Sequence, residues 1–211
     1  MANAALAART QDIYERHAAR FDAERPKRLH ERQWLDRFLK LVRPGGRILD
    51  LGCGAGDPIT TYLRSRGFDI VGADASRAMI SIARERYPGG DWRRLDMREL
   101  ELPERFDGVI SWNAFFHLMP DEQREVLRRI VEHMNAAAAF LLTVGPEAGE
   151  VTGRVGGEVV YHASLAPDEY SGLLADMGID VVEFVAEDPA CDEQTVLLAR
   201  KRTAEQPARS R

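Results

Sequence analysis

The densest chemical signal in this 211-residue chain is the run Ile48-Leu49-Asp50-Leu51-Gly52-Cys53-Gly54-Ala55-Gly56. An apolar strand that runs into three glycines and then into a helix lets backbone approach a ligand beyond the strand's carboxyl end, with no Cβ in the way. Asp74 follows 22 positions after Gly52, at the end of a second apolar run. A carboxylate there can accept hydrogen bonds from both hydroxyls of a ribose. The pair points to an adenosine-type ligand. A pyrophosphate loop wants a small residue where Asp57 stands, and an acid at that helix N-terminus repels phosphate. Acids at Asp50 and Asp57 suit a cation instead, and a sulfonium carrying an amino acid tail meets that description.

His117 and His162 are the candidate proton acceptors, because an imidazole with a pKa near ~6.5 can take a proton from a hydroxyl, amine or thiol at neutral pH. Trp112 reads as pocket wall and Phe115 as core. His17 reads as structural, and Tyr14 and Phe21 lie on an apolar helix stripe. Cys and His show no metal-ligand spacing. Cys53 and Cys191 read as free thiols, with Cys53 a small packed group.

These residues need a scaffold, and the periodicity supplies one. Residues 1–43 are helical in pattern, broken at Pro26, and Pro44-Gly45-Gly46 turns the chain into strand 47–51. Asp57 is the expected cap of a helix starting at Pro58 and stopping at Gly67. Strand 68–73 follows. A helix capped by Ser76, with Met79, Ile82 and Ala83 on its inner face, ends at Tyr87-Pro88. Strands are expected at 92–95, 106–112 and 138–144, with a helix lined by Val126, Leu127, Ile130, Val131 and Met134 before the last. The remainder reads as a Gly-rich loop (145–157), a short strand (159–161), a helix (167–177), and strands 181–185 and 195–199. Only 187–193 separates those last two, too little for a crossover, so they pair as an antiparallel hairpin. Alternating strands and helices make a doubly wound α/β layer.

Composition narrows the partners. Hydrophobic residues at 45% and charged residues at 30% fit a soluble globular domain and exclude collagen, a disulfide scaffold and wholesale disorder. A net charge of −5 offers no global field for nucleic acid or anionic membrane. The longest apolar stretch, 136–144, is too short to span a bilayer, and the N-terminus lacks an export pattern, so a cytoplasmic location is expected. Ser111-Trp112-Asn113-Ala114 lacks the Pro-Pro-Tyr pattern of enzymes that methylate exocyclic amines of bases. A small-molecule acceptor and a monomer or homodimer are expected.

Taken together, these residues resemble the class I S-adenosylmethionine-dependent methyltransferases. The first motif of that family looks like 48–56, the second like Asp74 and the third like Asp96. Bacterial small-molecule members are the closer likeness, through Tyr14-Glu15-Arg16-His17-Ala18, Trp112-Asn113-Ala114-Phe115-Phe116-His117-Leu118 and Tyr161-His162-Ala163-Ser164-Leu165. The stretch 135–139 departs from the family's Pro-Gly turn. The resemblance implies a Rossmann-like doubly wound α/β fold with a seven-stranded sheet, mostly parallel with an antiparallel last strand, and helices on both faces. It implies a helical lid (1–43), a methyltransferase domain (44–200) with a substrate-side insertion (145–165), and a disordered tail (201–211).

By the same resemblance, S-adenosylmethionine is the cofactor and S-adenosylhomocysteine the product. Contacts to the cofactor are expected from Asp50, Gly52, Cys53, Gly54, Gly56, Asp74, Ala75, Asp96, Met97 and Trp112. Tyr14, Trp112, His117 and Tyr161 would meet the acceptor, with His117 and His162 as catalytic groups. The implied activity is methyl transfer to an O, N or S nucleophile of a small molecule. Rival readings are an NAD(P)-dependent oxidoreductase and a catalytically silent S-adenosylmethionine-binding module.

Overall fold

Alternate residues of the first strand, Arg47–Leu51 (β1), face opposite ways, and each side finds its own core. Leu49 and Leu51 pack with Val109, Phe140 and Leu142, whereas Ile48 packs with Trp34, Phe38, Leu63 and Leu141. In the computed structural model of the chain, which describes residues 2–203, this two-sided burial continues across a seven-stranded sheet. The elements are α1 (Ala2–Glu24), α2 (Arg32–Leu41), β1, α3 (Ile59–Ser65), β2 (Asp69–Asp74), α4 (Arg77–Arg86), β3 (Asp91–Arg94), β4 (Phe106–Ser111), α5 (Pro120–Glu132), β5 (Met134–Val144), β6 (Gly149–Val155), β7 (Glu158–Ser164), α6 (Pro167–Asp176), β8 (Ile179–Asp188) and β9 (Gln194–Lys201). Helices α5 and α6 cover one face, and α2 and α3 the other.

The strand order is β3-β2-β1-β4-β5-β9-β8, with β9 inserted antiparallel between β5 and β8 and the remaining pairs parallel. This is the expected doubly wound sheet. Parallel strands joined through helices bring the carboxyl ends of β1, β2 and β4 to one edge, where the order reverses.

Four local expectations are corrected. Helix α3 starts at Ile59 without a side-chain cap, because the N-cap position falls on Pro58, which has no side-chain acceptor, and Asp57 pairs with Lys27 at 3.3 Å. The expected loop 145–157 contains β6, paired antiparallel with β7 in a separate two-stranded sheet. Its exposed face hid it from pattern reading: Val151 is 65% exposed and only Val155 is buried. Strand β5 begins at Met134, four residues early. In place of a Pro-Gly turn the chain sets Ala137 at φ 61°, shifts register opposite Phe106/Gly108 and ties Asn135 to Asp107 at 2.9 Å. Finally, Lys201 is the last residue of β9, and Arg202 is tied to the start of β8, so neither belongs to a disordered tail. Lys201 Nζ donates to the Val131 and Met134 carbonyls, and Arg202 donates to Asp180. Residues 204–211 of that expected tail lie outside the described residues.

Helix α1 packs Ala7 and Ile13 against β6 and β7 and Ala18 against Ala55 and Met79, and polar ties flank these contacts. Glu15 accepts from Ser76 Oγ at 2.6 Å and from the Ala78 N–H at 3.1 Å. Asp22 pairs with Arg86 of α4, and Arg16 and His17 both meet Glu158 of β7.

Candidate functional site

A cavity of about 480 Å³ opens at this edge, floored by Gly52 and Gly54 and walled by one face of α1. That volume falls within the ~300–1,000 Å³ typical of small-molecule sites. The three glycines of the loop do different work. Gly52 has φ 80° and donates to the Ala73 carbonyl at 2.7 Å, and a Cβ there would collide with that of Ala114. Gly54, at φ 55°, borders the cavity, and a Cβ on it would meet nothing nearer than Met79 Sδ at 3.9 Å, so it would project into ligand space. Gly56 lies away from the cavity, where a Cβ would strike the Trp92 ring.

The Asp74 carboxylate sits on the cavity wall. One oxygen accepts from the Gly54 N–H and the other from the Ser76 N–H, both at 2.8 Å. Each oxygen keeps lone-pair capacity for a further donor. Burial is the largest influence on this carboxyl and raises its pKa; the two N–H donors oppose it, and Glu15 and Asp96 add to the rise. Asp96 also faces the cavity, but Gln11 and Arg98 already occupy it, at 2.5 and 2.8 Å. Burial raises its pKa, the Arg98 and Gln11 hydrogen bonds outweigh that, and the net direction is downward.

His117 and Tyr14 form the other chemical feature. His117 Nδ1 lies 2.9 Å from the Tyr161 carbonyl, an acceptor only, so Nδ1 carries the proton. Nε2 is then the acceptor for the Tyr14 hydroxyl at 3.0 Å. Burial, with a smaller contribution from His162, lowers the His117 pKa to about 4. Burial and Asp74 push the Tyr14 hydroxyl up to about 12. Both groups are neutral at pH 7, with the phenol donating.

The cavity thus brings together Tyr14, Gly52, Gly54, Asp74, Ala75, Asp96, Met97, Trp112 and His117. It does not include Asp50, Cys53, Gly56, Tyr161 or His162. Asp50 shares the face of β1 that carries Ile48, points toward α3 and accepts from Thr60 Oγ1 at 2.5 Å. Burial raises its pKa to about 6. Cys53 packs with Ile80, Ala83 and Trp92, and burial pushes its thiol up. The Tyr161 ring is 1% exposed between Ala7 and Ala163, and it is the backbone of this residue that meets His117. The His162 ring lies 4.6 Å from Phe116 and 4.9 Å from His117, outside the cavity lining.

Gln11 and Arg25 are among the cavity residues that went unread in the sequence. Gln11 stands three positions before Tyr14, the same-face spacing of a helix, which is the signal that could have found it. Arg25 follows the end of α1 and lines the cavity, and its charge opposes the rise in pKa of both Tyr14 and Asp50.

A sheet with its last strand inserted antiparallel, and a cavity where a glycine loop meets an acid ending the second strand, make up the fold and site arrangement of the class I S-adenosylmethionine-dependent methyltransferases, which this chain resembles. Residues 48–136 match the family described as a methyltransferase domain. Methyltransferase GfsG of Streptomyces halstedii is 28% identical over 156 residues, covering 68% of this chain and 56% of that protein. The chain spans about half the length of the first curated relatives it matches. Among solved structures, CalS10, an amino pentose methyltransferase from Micromonospora echinaspora with S-adenosylmethionine bound, superposes with a TM-score of 0.67 at 19% identity, covering 88% of this chain and 95% of that one. The sugar N-methyltransferase KedS8 from a Streptoalloteichus species gives 0.68 at 16% identity, covering 87% and 91%.

Proposed function

We propose that the protein transfers a methyl group from S-adenosylmethionine to a nucleophile of a small molecule by in-line displacement, in the cytoplasm and not on nucleic acid. The observation that carries this reading is the Asp74 carboxylate, fixed by two N–H donors on a cavity wall beside Gly54. The donor set fits the cofactor: Asp74 for the ribose hydroxyls, Arg25 for the methionine carboxylate, and Leu95, Met97 and Leu118 for the adenine. S-Adenosylmethionine supplies a methyl group activated by its sulfonium. No helix among the described residues is long and apolar enough to cross a membrane.

The chain's own contribution is mostly alignment and exclusion of water, since displacement at a sulfonium methyl needs nucleophile, carbon and sulfur in line. In this reading residues 1–43 act as a lid, and the β6–β7 hairpin walls the acceptor side. Because Tyr14 donates its proton to His117 Nε2, its oxygen presents lone pairs to the cavity and selects an acceptor that carries an N–H or O–H. A proton leaving the acceptor passes to the Tyr14 oxygen as the Tyr14 proton moves to Nε2. His117, with a pKa near about 4, is a weak base. That favours an amine, which attacks while neutral and sheds its proton after the N–C bond has formed. The amino pentose and sugar N-methyltransferases among the structural neighbours support the same choice.

A thermal shift tests the cofactor. A ligand at 100 times its dissociation constant adds about 2.7 kcal/mol. S-Adenosylmethionine and S-adenosylhomocysteine are expected to raise Tm while NAD and NADP do not; the reverse pattern overturns the reading. Tyr14→Phe is expected to retain S-adenosylhomocysteine binding and to lower turnover of an amine acceptor by about tenfold, the loss of one orienting hydrogen bond. Turnover at the wild-type rate would remove Tyr14 from the proton path.

A further inference from the structure

We propose that the acceptor is an anion, its carboxylate or phosphate held at the cavity mouth by Arg28 and Arg154. The proposal rests on the transferase reading above and narrows its substrate class. Other charged groups on the cavity wall have partners: Arg20 pairs with Glu24 at 2.7 Å and Arg98 with Asp96 at 2.8 Å, and Arg25 lies 3.4 Å from Glu31. Asp74 is satisfied by backbone N–H groups and reserved for ribose.

Two guanidiniums remain. Among the described residues, Arg28 makes no ion pair and no side-chain hydrogen bond, and Arg154 donates only to the Gly157 carbonyl, at 2.8 Å. A bond to a carbonyl leaves the Arg154 charge unneutralised and most of its five donors unused. Both side chains are exposed where they border the cavity, and they come from separate elements, the α1–α2 connection and β6. Two cations without an acidic partner bordering one cavity stand out in a chain of net charge −5.

In the reading proposed above the cofactor's single carboxylate falls to Arg25, which leaves Arg28 and Arg154 for another group. Guanidinium forks match the geometry of carboxylate and phosphate oxygens and add attraction at range. An anionic group at the rim would hold the nucleophilic end of the acceptor inward, toward Tyr14.

The test uses full-length protein saturated with S-adenosylhomocysteine, a step whose failure would sink the transferase reading itself before any anion is added. Malonate, inorganic phosphate and, as the uncharged control, glycerol are then titrated while the side-chain Nε–Hε NMR signals of Arg28 and Arg154 are followed. Saturable shifts of both signals with malonate or phosphate, absent with glycerol, are expected. In Arg28→Gln the response of Arg154 should require about tenfold more anion, with S-adenosylhomocysteine affinity retained. A lower dissociation constant for malonate would assign a carboxylate acceptor, and a lower one for phosphate a phosphorylated acceptor. Shifts that do not saturate, or equal affinity in Arg28→Gln, would overturn the proposal.

Discussion

Asp74→Ala is expected to raise the dissociation constant for S-adenosylhomocysteine by one to two orders of magnitude, about 1.4–2.8 kcal/mol. A hydrogen bond to a charged acceptor contributes about 1.5–3 kcal/mol, and the Asp74 oxygens are placed to receive two ribose hydroxyls. The substitution also deprives the Gly54 and Ser76 N–H groups of their partner, so loop distortion could lower affinity without any ribose contact. A 2′-deoxy cofactor analogue separates the two causes. It should bind the wild type less tightly than the parent compound does and bind Asp74→Ala about as tightly as the parent does, because the contact is already lost. Calorimetry returning wild-type affinity in Asp74→Ala would take this residue out of the site. An equal penalty for the analogue in both proteins would reduce Asp74 to a loop anchor.

The framework was legible because its signals are local and redundant. Strand, glycine loop, helix and second strand follow one another within 47–74, and the short 187–193 link forced β8 and β9 to pair antiparallel. Strand β6 was not legible, since one of its faces meets solvent and its apolar alternation is correspondingly weak. Within the site, residue type carried the reading as far as Gly54, Asp74 and His117. Which side a residue faces had to come from the fold. Asp50 follows Ile48 at strand period and so faces α3, and Gly56 has a ring against it where a ligand was expected. Asp57 contributes less to a preference for a cation than its place after the glycine loop suggests, because its charge is shared with Lys27 and it does not line the cavity. Arg25, Arg28 and Arg154 were invisible as site residues: isolated arginines in a chain with 29 Lys plus Arg carry no signal until the fold brings them to one cavity.

The largest effect on stability should appear in acid, as a cancellation that single substitutions expose. His117 has a folded pKa of about 4 against about 6.5 unfolded, so between those values the unfolded chain binds the extra proton. Its contribution is complete above pH ~6.5 and is lost as pH falls through about 4, a change of about 3 kcal/mol. Asp50 runs the other way. Its folded pKa of about 6 exceeds the unfolded value of 3.8, so its contribution is complete below the unfolded pKa and is lost as pH rises through about 6, again by about 3 kcal/mol. Between pH 6 and 4 the two slopes oppose, and together they leave stability nearly flat. Carboxylates held low by arginines, such as Asp22 and Asp91, destabilise the fold on further acidification, but they do so in every variant. Difference curves therefore isolate each group. Urea unfolding at half-unit pH steps should show wild type minus His117→Asn falling by about 3 kcal/mol from pH 6.5 to 4, and wild type minus Asp50→Asn rising by a similar amount from pH 6 to 4. A flat His117 difference would mean that the imidazole charges freely in the folded protein. Nε2 could not then be the standing acceptor for the Tyr14 proton, and the proton path drawn through Tyr14 would fall with it.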